Sequence, residues 1–362
     1  MLKTLSRSLI LFALAAGFLL LMQHFGLLRW ASIVSAFREQ PMLISQLVCI
    51  QVVGACVLVF RYWMILSVFG IRSSFRQITS ATFVSSAVGQ WAPGSLAIVE
   101  LLRVGLMLGS HTSNSTSQTS GQEAGLKARL ALVSLVDRMV GFFGILLMGF
   151  MFSGYLFLRM TMSESTVVDS AARQGVLMLW IGAGVGCVGL LSLPFLARLR
   201  SLRRLSQSLT GNASRRPKSV QLIARNIEAI RHNIEAGTRH PIRLFVPVAL
   251  SMGSMLLACA TLSMSARILA SSLDFFQVVC VFPLNALAGL LPLGFAGIGG
   301  YQLVMASIFG IFSVSPAVVA SAGVLQSALS LLVNSLLGLL FARVCSGQIR
   351  AILKRRSQPT VA

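Results

Sequence analysis

Four ionisable residues lie inside stretches that are otherwise apolar: Glu100, Arg103, Asp137 and Arg138. Of the nine acidic residues in the chain, only Glu100 and Asp137 fall at the depth of an apolar span. A charge at the centre of a membrane helix costs roughly 2.5–3.5 kcal/mol on insertion scales, so each of these residues needs a partner. Glu100 and Arg103 are three apart and can pair on one helix face. Two roles follow. In one, Arg103 and Arg138 hold a phosphate while the carboxylates set affinity or proton coupling. In the other, the four residues are an internal ion-pair network that fixes helix packing.

A second set of candidates is built from backbone. Phe282 to Gly300 is apolar, yet it carries Pro283, Pro292 and five glycines: Gly289, Gly294, Gly297, Gly299 and Gly300. An unbroken helix does not run through Pro292 and this cluster. Non-helical backbone at membrane depth survives only inside protein or beside a water-filled cavity, which predicts a broken, re-entrant element. Gly297, Gly299 and Gly300 can bring bare amides to an anionic head group, with Gln302 beside them. Their other role is tight helix packing. Pro93 and Gly94 make a similar break between Ile78–Trp91 and Leu96–Leu108. The first of these pieces reaches only about 21 Å, short of a ~30 Å hydrocarbon core.

Other chemistries find no foothold. His24, His111, His232 and His240 all lie outside the interiors of the spans. Cys49, Cys56, Cys187, Cys259, Cys280 and Cys345 have no metal-ligand spacing and read as small apolar core residues. No nucleophile elbow, phosphate loop or dinucleotide fingerprint is present. The expectation is no metal, no cofactor and no catalytic residue.

The elements that must position these groups follow from composition. The 362 residues are 56% hydrophobic and 11% charged, against roughly 25% charged in a soluble domain. The chain is therefore an all-α polytopic membrane protein. Its formal charge of +21 would suggest nucleic acid elsewhere. Here the basic residues sit between apolar spans and follow the positive-inside rule, so nucleic acid is excluded as a partner. Six full spans are expected, near Ser8–Leu28, Met42–Leu66, Leu130–Phe152, Gly175–Phe195, Leu244–Met264 and Pro316–Phe341. The first is read as uncleaved, because no cleavage site follows it. Asp137-Arg138 opens the third. Gly182, Gly184, Gly186 and Gly189 in the fourth predict close helix contact. Arg61 and Arg76 are expected to snorkel to the interface. A Ser/Thr/Gly-rich loop is expected over His111–Gly125.

Charge chooses between eight crossings and six. If both broken elements cross the bilayer, the segment 198–243, with its 11 Lys+Arg, faces outward. If both are hairpins, every basic cluster and both termini fall inside. The hairpin reading makes residues 1–343 one transmembrane domain followed by a basic tail, 344–362. Within that domain the halves 42–152 and 244–341 have the same order in opposite orientation, an inverted repeat. Aligning Pro93 with Pro292 pairs Glu100 with Gly299 and Arg103 with Gln302. In the linker 198–243, Val220, Ile223, Ile227, Ile230 and Ile234 share one helix face. That face docks on an anionic lipid surface or packs on the protein itself.

At these residues the chain resembles the flippase-like family typified by the membrane domain of lysylphosphatidylglycerol synthases. That family shows a proline-glycine motif followed by an acidic residue and an arginine, then an acidic-arginine pair; Pro93, Gly94, Glu100, Arg103 and Asp137-Arg138 are similar. Its second motif, a proline and then a Gly-x-Gly-x-Arg-Glu-like run, resembles Pro292 and Gly297 to Gln302. Tyr301 and Gln302 stand where Arg and Glu are usual, so this half has lost its charges. The resemblance covers about residues 5–343. It implies translocation of a membrane phospholipid, anionic or aminoacylated, or of a polyprenyl-linked glycan, in the bacterial inner membrane. The soluble aminoacyl-transfer domain lies outside the resemblance, so synthase activity is not implied. The alternatives are a membrane scaffold for an envelope-lipid synthase or glycosyltransferase, and a lipid-modifying enzyme with Glu100 and Asp137 as its acid/base pair.

Overall fold

The computed structural model describes residues 30–91, 95–113, 120–162, 170–197, 241–269, 273–288, 294–295, 298–312 and 314–346, with single positions between 17 and 28. Helices α1 (Trp30–Glu39) and α2 (Pro41–Val68) come first, then α3 (Phe75–Gly89), α4 (Ser95–Ser113), α5 (Ser120–Met162) and α6 (Ser170–Ala197). A short 3-10 turn, Pro241–Leu244, leads into α7 (Phe245–Ile268) and α8 (Phe275–Ala288). Two two-residue strands follow, β1 (Gly294–Phe295) and β2 (Ile298–Gly299), then α9 (Gly300–Phe309) and α10 (Pro316–Ala342). The fold is all-α apart from that ladder.

Five helices among the described residues are long and apolar enough to cross a membrane: Pro41–Val68, Gly125–Met162, Arg173–Ser192, Phe245–Ile268 and Pro316–Ala342. They match the second to sixth expected spans. Most of the first expected span lies outside the described residues, as do 198–240 of the linker and 347–362 of the tail. Large apolar side chains stay exposed on the spans, such as Val185 and Val188 on α6 and Leu336 and Leu339 on α10. In water such a surface would drive association; in a bilayer it faces lipid.

Both breaks fall where the sequence puts them. With 15 residues α3, and with 14 residues α8, reach only about 21–23 Å, so neither crosses a ~30 Å core. Pro283 lies within α8 and does not end it. The second break is an antiparallel ladder that pairs Gly294 with Gly299 and Phe295 with Ile298. Pro93, Gly94, Pro292 and Gly297 lie outside the described residues. The first hairpin closes tightly: a Cβ added to Gly89 would collide with Val99 Cγ2, so α3 and α4 meet there backbone to side chain. The turn before it has its own signature. Gly70, at φ +68°, ends α2 in a Schellman-type turn, with Ile71 N donating to Leu66 O at 3.0 Å. Ser74 and Gln77 then form a capping box on α3, each backbone N–H donating to the other's side chain at 3.3 Å.

Several expectations are corrected. The polar loop is shorter than His111–Gly125, because α4 runs to Ser113 and α5 begins at Ser120. The following loop is shorter too, since α5 continues to Met162. Neither 109–113 nor 120–129 contains a proline, so both helices wind on past the apolar pattern. Asp137-Arg138 therefore lies well inside α5, not at its start. On α6, added Cβ atoms at Gly184 and Gly186 would meet Phe150 and Leu146 of α5 at 3.0 Å. Gly182 and Gly189 meet nothing within 4 Å among the described residues. Cys49 and Cys56 are exposed rather than in the core.

Two large apolar cores form among the described residues, beside a small cluster of Leu156, Val176 and Cys280. One joins α2, α3, α4 and α5 through Tyr62, Ile65, Ile78, Met107 and Val133. The other joins α7, α8, α9 and α10 through Leu262, Val278, Phe309 and Leu325, with Leu47 of α2 and Met148 of α5. Between them α3 lies along α10. Gln90 at the end of α3 donates to Leu331 O at 3.2 Å and Ser335 Oγ at 3.1 Å, and accepts from Asn334 Nδ2 at 3.3 Å.

Candidate functional site

The first core carries the charges. Asp137 on α5 is buried and holds two guanidinium groups. Arg61 Nε of α2 lies 2.8 Å from its Oδ1, and Arg103 Nη1 of α4 lies 3.5 Å from its Oδ2. Arg103 Nη1 is also 3.4 Å from the Glu100 oxygens, one turn away on the same helix. Glu100 Oε1 in turn accepts from Arg138 Nη2 at 2.5 Å. The four predicted residues thus form one connected cluster, joined by an arginine that was not predicted. Burial grades across it. The side chains of Arg61, Arg103 and Asp137 are buried, Glu100 is 15% exposed and Arg138 is 33% exposed.

Arg61 corrects an expectation. It does not snorkel; it is buried and bonds both Asp137 and Ser251 Oγ of α7, the latter at 2.9 Å. The reason is geometric. Arg61 lies seven residues before the end of α2, about 10 Å inside by helix rise. Asp137 offers it a counter-ion at that level. The face of α5 is cut to admit it: an added Cβ at Gly141 would approach Arg61 Nη1 at 3.4 Å, and one at Gly144 would strike Ser251 Cβ at 2.6 Å. The run Asp137, Gly141, Gly144 follows helical spacing, and that was the available signal. Tyr62 was also missed. Its ring lies under the Arg103 guanidinium, 4.6 Å from ring centroid to Cζ, a cation–π contact that holds the arginine without consuming its charge.

The formal balance of this cluster is three guanidinium groups to two carboxylates. Arginine does not deprotonate in proteins. The four more buried charges balance, and the excess guanidinium is that of Arg138, the most exposed of the five. The arrangement suits binding of a phosphate at the side where Arg138 is open.

The second half is built differently. Gln302 is fully buried on α9 and donates to Ser327 Oγ of α10 at 3.1 Å. Gln326 donates to Thr261 Oγ1 of α7 at 2.8 Å and to Ala258 O at 2.9 Å. Gly299 pairs in the ladder and Gly300 starts α9. These residues form a neutral network on the elements of the second core.

An acidic residue and an arginine on α4 and the Asp-Arg pair of α5 now stand together in space. A family model, the lysylphosphatidylglycerol synthase TM region, matches residues 8–338. The chain belongs to that family. No curated protein and no solved structure matches it. The family is a transmembrane region rather than a catalytic domain, in keeping with a multi-pass membrane protein whose ions lie among its helices.

Proposed function

We propose that this protein moves a phosphate-bearing lipid between the leaflets of the bacterial inner membrane without altering it covalently. The lipid is an anionic or aminoacylated phospholipid, or a polyprenyl-linked glycan. The observation that carries this reading is the charge cluster with one more guanidinium than carboxylate, whose most exposed member is Arg138. A head group held by Arg138 and Arg103 exchanges its hydration for fixed, oriented donors.

The packing supports two inverted halves around this site. Exchanging α2 with α7, α3 with α8, α4 with α9 and α5 with α10 maps the helix contacts onto one another: α3 on α10 becomes α8 on α5, and α4 on α5 becomes α9 on α10. The equivalent helices α2 and α7 run antiparallel, because Arg61 late in α2 meets Ser251 early in α7 while Leu47 early in α2 shares a core with Leu262 late in α7. Equivalent helices crossing in opposite senses are what an inverted repeat requires. Setting Pro93 on Pro292 puts the neutral Gln302 in the place of Arg103.

The test is reconstitution in liposomes with fluorescent phosphatidylglycerol. The wild-type protein is expected to move lipid, and Arg138→Gln or Arg103→Gln to reduce that rate at least tenfold. Wild-type protein without activity sinks the proposal and leaves the scaffold reading. Chemically altered lipid would favour an enzyme.

A further inference from the structure

The ion cluster divides by distance into two parts. Arg61 and Asp137 are a tight inner pair at 2.8 Å, and Ser251 Oγ fixes Arg61 further at 2.9 Å. Their charges cancel. The outer part is Arg103, Glu100 and Arg138. Glu100 Oε1 lies 2.5 Å from Arg138 Nη2 and 3.4 Å from Arg103 Nη1. A single carboxylate oxygen thus already bridges guanidinium groups from two helices, α4 and α5. The same Arg103 nitrogen is 3.5 Å from Asp137 Oδ2. Both Arg103 contacts are longer than the roughly 2.7–2.9 Å of a charge-assisted hydrogen bond. Arg103 is held in place by the Tyr62 ring beneath it as much as by either carboxylate.

The outer part is also the more open one, at Glu100 and above all at Arg138. An incoming anion can bridge Arg138 and Arg103 only beside Glu100 or in the place of its Oε1. Either way a carboxylate stays tethered next to the ligand, because Glu100 is one turn from Arg103 on the same helix. The outer part carries two positive charges and one negative. A ligand with one negative charge balances it. A second charge on the ligand finds no counter-ion left and stands against Glu100, in a half-buried place where water screens like charges poorly.

We infer that Glu100 is a specificity-determining residue, a charge filter that admits a phosphate diester, with one negative charge, and discriminates against a phosphate monoester, which carries a second. It rests on the reading of Arg103 and Arg138 as the groups that hold phosphate.

The test is calorimetric titration of the purified full chain in neutral detergent at about pH 8 with dihexanoyl phosphatidylmethanol and dihexanoyl phosphatidic acid. The two lipids differ by one methyl group and one charge, since a phosphate monoester loses its second proton near about pH 6. The wild-type chain is expected to bind the diester about tenfold more tightly. Glu100→Gln keeps the size and removes the charge, so it should erase that ratio, mainly by tightening the monoester. Glu100→Asp keeps the charge and should keep the ratio. A merely structural Glu100 would leave the ratio unmoved in every variant. Dimethyl phosphate is the tail-free diester: if it binds too, the filter serves diesters from either source, and if only the lipid binds, it serves a head group. A wild-type chain that binds the monoester as tightly as the diester, or a Glu100→Gln chain with the wild-type ratio, overturns the filter and leaves the phosphate site standing. A wild-type chain that binds neither lipid overturns both. Where Glu100→Gln does not fold, Glu100→Ala is read in the same way. An intact filter with no lipid movement in liposomes would sink the transport proposal alone.

Discussion

Asp137 is a single carboxylate shared by arginines from two other helices. Removing its charge leaves Arg61 and Arg103 buried without their counter-ion, which in comparable pairs costs about 3–5 kcal/mol. Asp137→Asn is therefore expected to lower stability by that order in detergent denaturation. Adding Arg61→Gln to Asp137→Asn should recover part of the loss, because one of the stranded charges is gone; a double variant weaker than either single one would contradict the pairing. Glu100→Gln should behave more mildly, since Arg138 reaches solvent. The four family-motif residues were legible in the sequence because ions in apolar stretches stand out. Arg61 was not, because an arginine near the end of an apolar span is consistent with either burial or snorkelling until its partner's position is known. Tyr62, beside Trp63 near the end of an apolar span, suits the membrane interface by sequence yet is buried.

At the scale of elements, α5 and α7 approach through Gly144. Its added Cβ would strike Ser251 Cβ at 2.6 Å, so Gly144→Ala must push the helices apart. The expected cost is about 1–3 kcal/mol, as for other overpacked sites. Ser251→Gly in the same chain removes the opposing atom and should restore packing, although Arg61 then loses one bond. A Gly144→Ala variant as stable as wild type would mean that the two helices do not touch there. The breaks were legible from Pro93, Gly94 and Pro292, because short apolar runs flanked by breakers do not add up to a span. The ends of α4, α5 and α6 were not legible. Residues such as Ser113 and Ser120 are poor guides, since a polar residue without proline nearby neither continues nor ends a helix by its type alone. The tip ladder of Gly294–Phe295 and Ile298–Gly299 was legible only as a break.

At the scale of the molecule, the proposed repeat has a local counterpart in how the two hairpins start. Ser74-Phe75-Arg76-Gln77 opens the first hairpin and Asp274-Phe275-Phe276-Gln277 the second, 200 residues apart. Ser74 N and Asp274 N each donate to the Gln side chain three residues on, at 3.3 Å. The same local device starts α3 and α8. The inverted reading predicts that these two starts face opposite sides of the membrane. In a chain cleared of its native cysteines, Ser73→Cys should label only from the cytoplasm and Ser272→Cys only from the periplasm. Labelling of both from one side would reject the inversion. The linker 198–243 should label only from the cytoplasm on the same scheme.

The clasp at Gln90 has a mechanical consequence. It ties the tip of the first hairpin to the middle of α10 by three hydrogen bonds, through Leu331, Ser335 and Asn334. Interhelical bonds of this kind average about 0.6 kcal/mol inside membranes, so the three together hold the tip by about 2 kcal/mol. These bonds act together with close apolar packing, because Phe83 of α3 lies against Phe341 of α10 and an added Cβ at Gly338 would strike Ala87. The tip of the first half is thus anchored on the last helix of the second, and any movement of one carries the other.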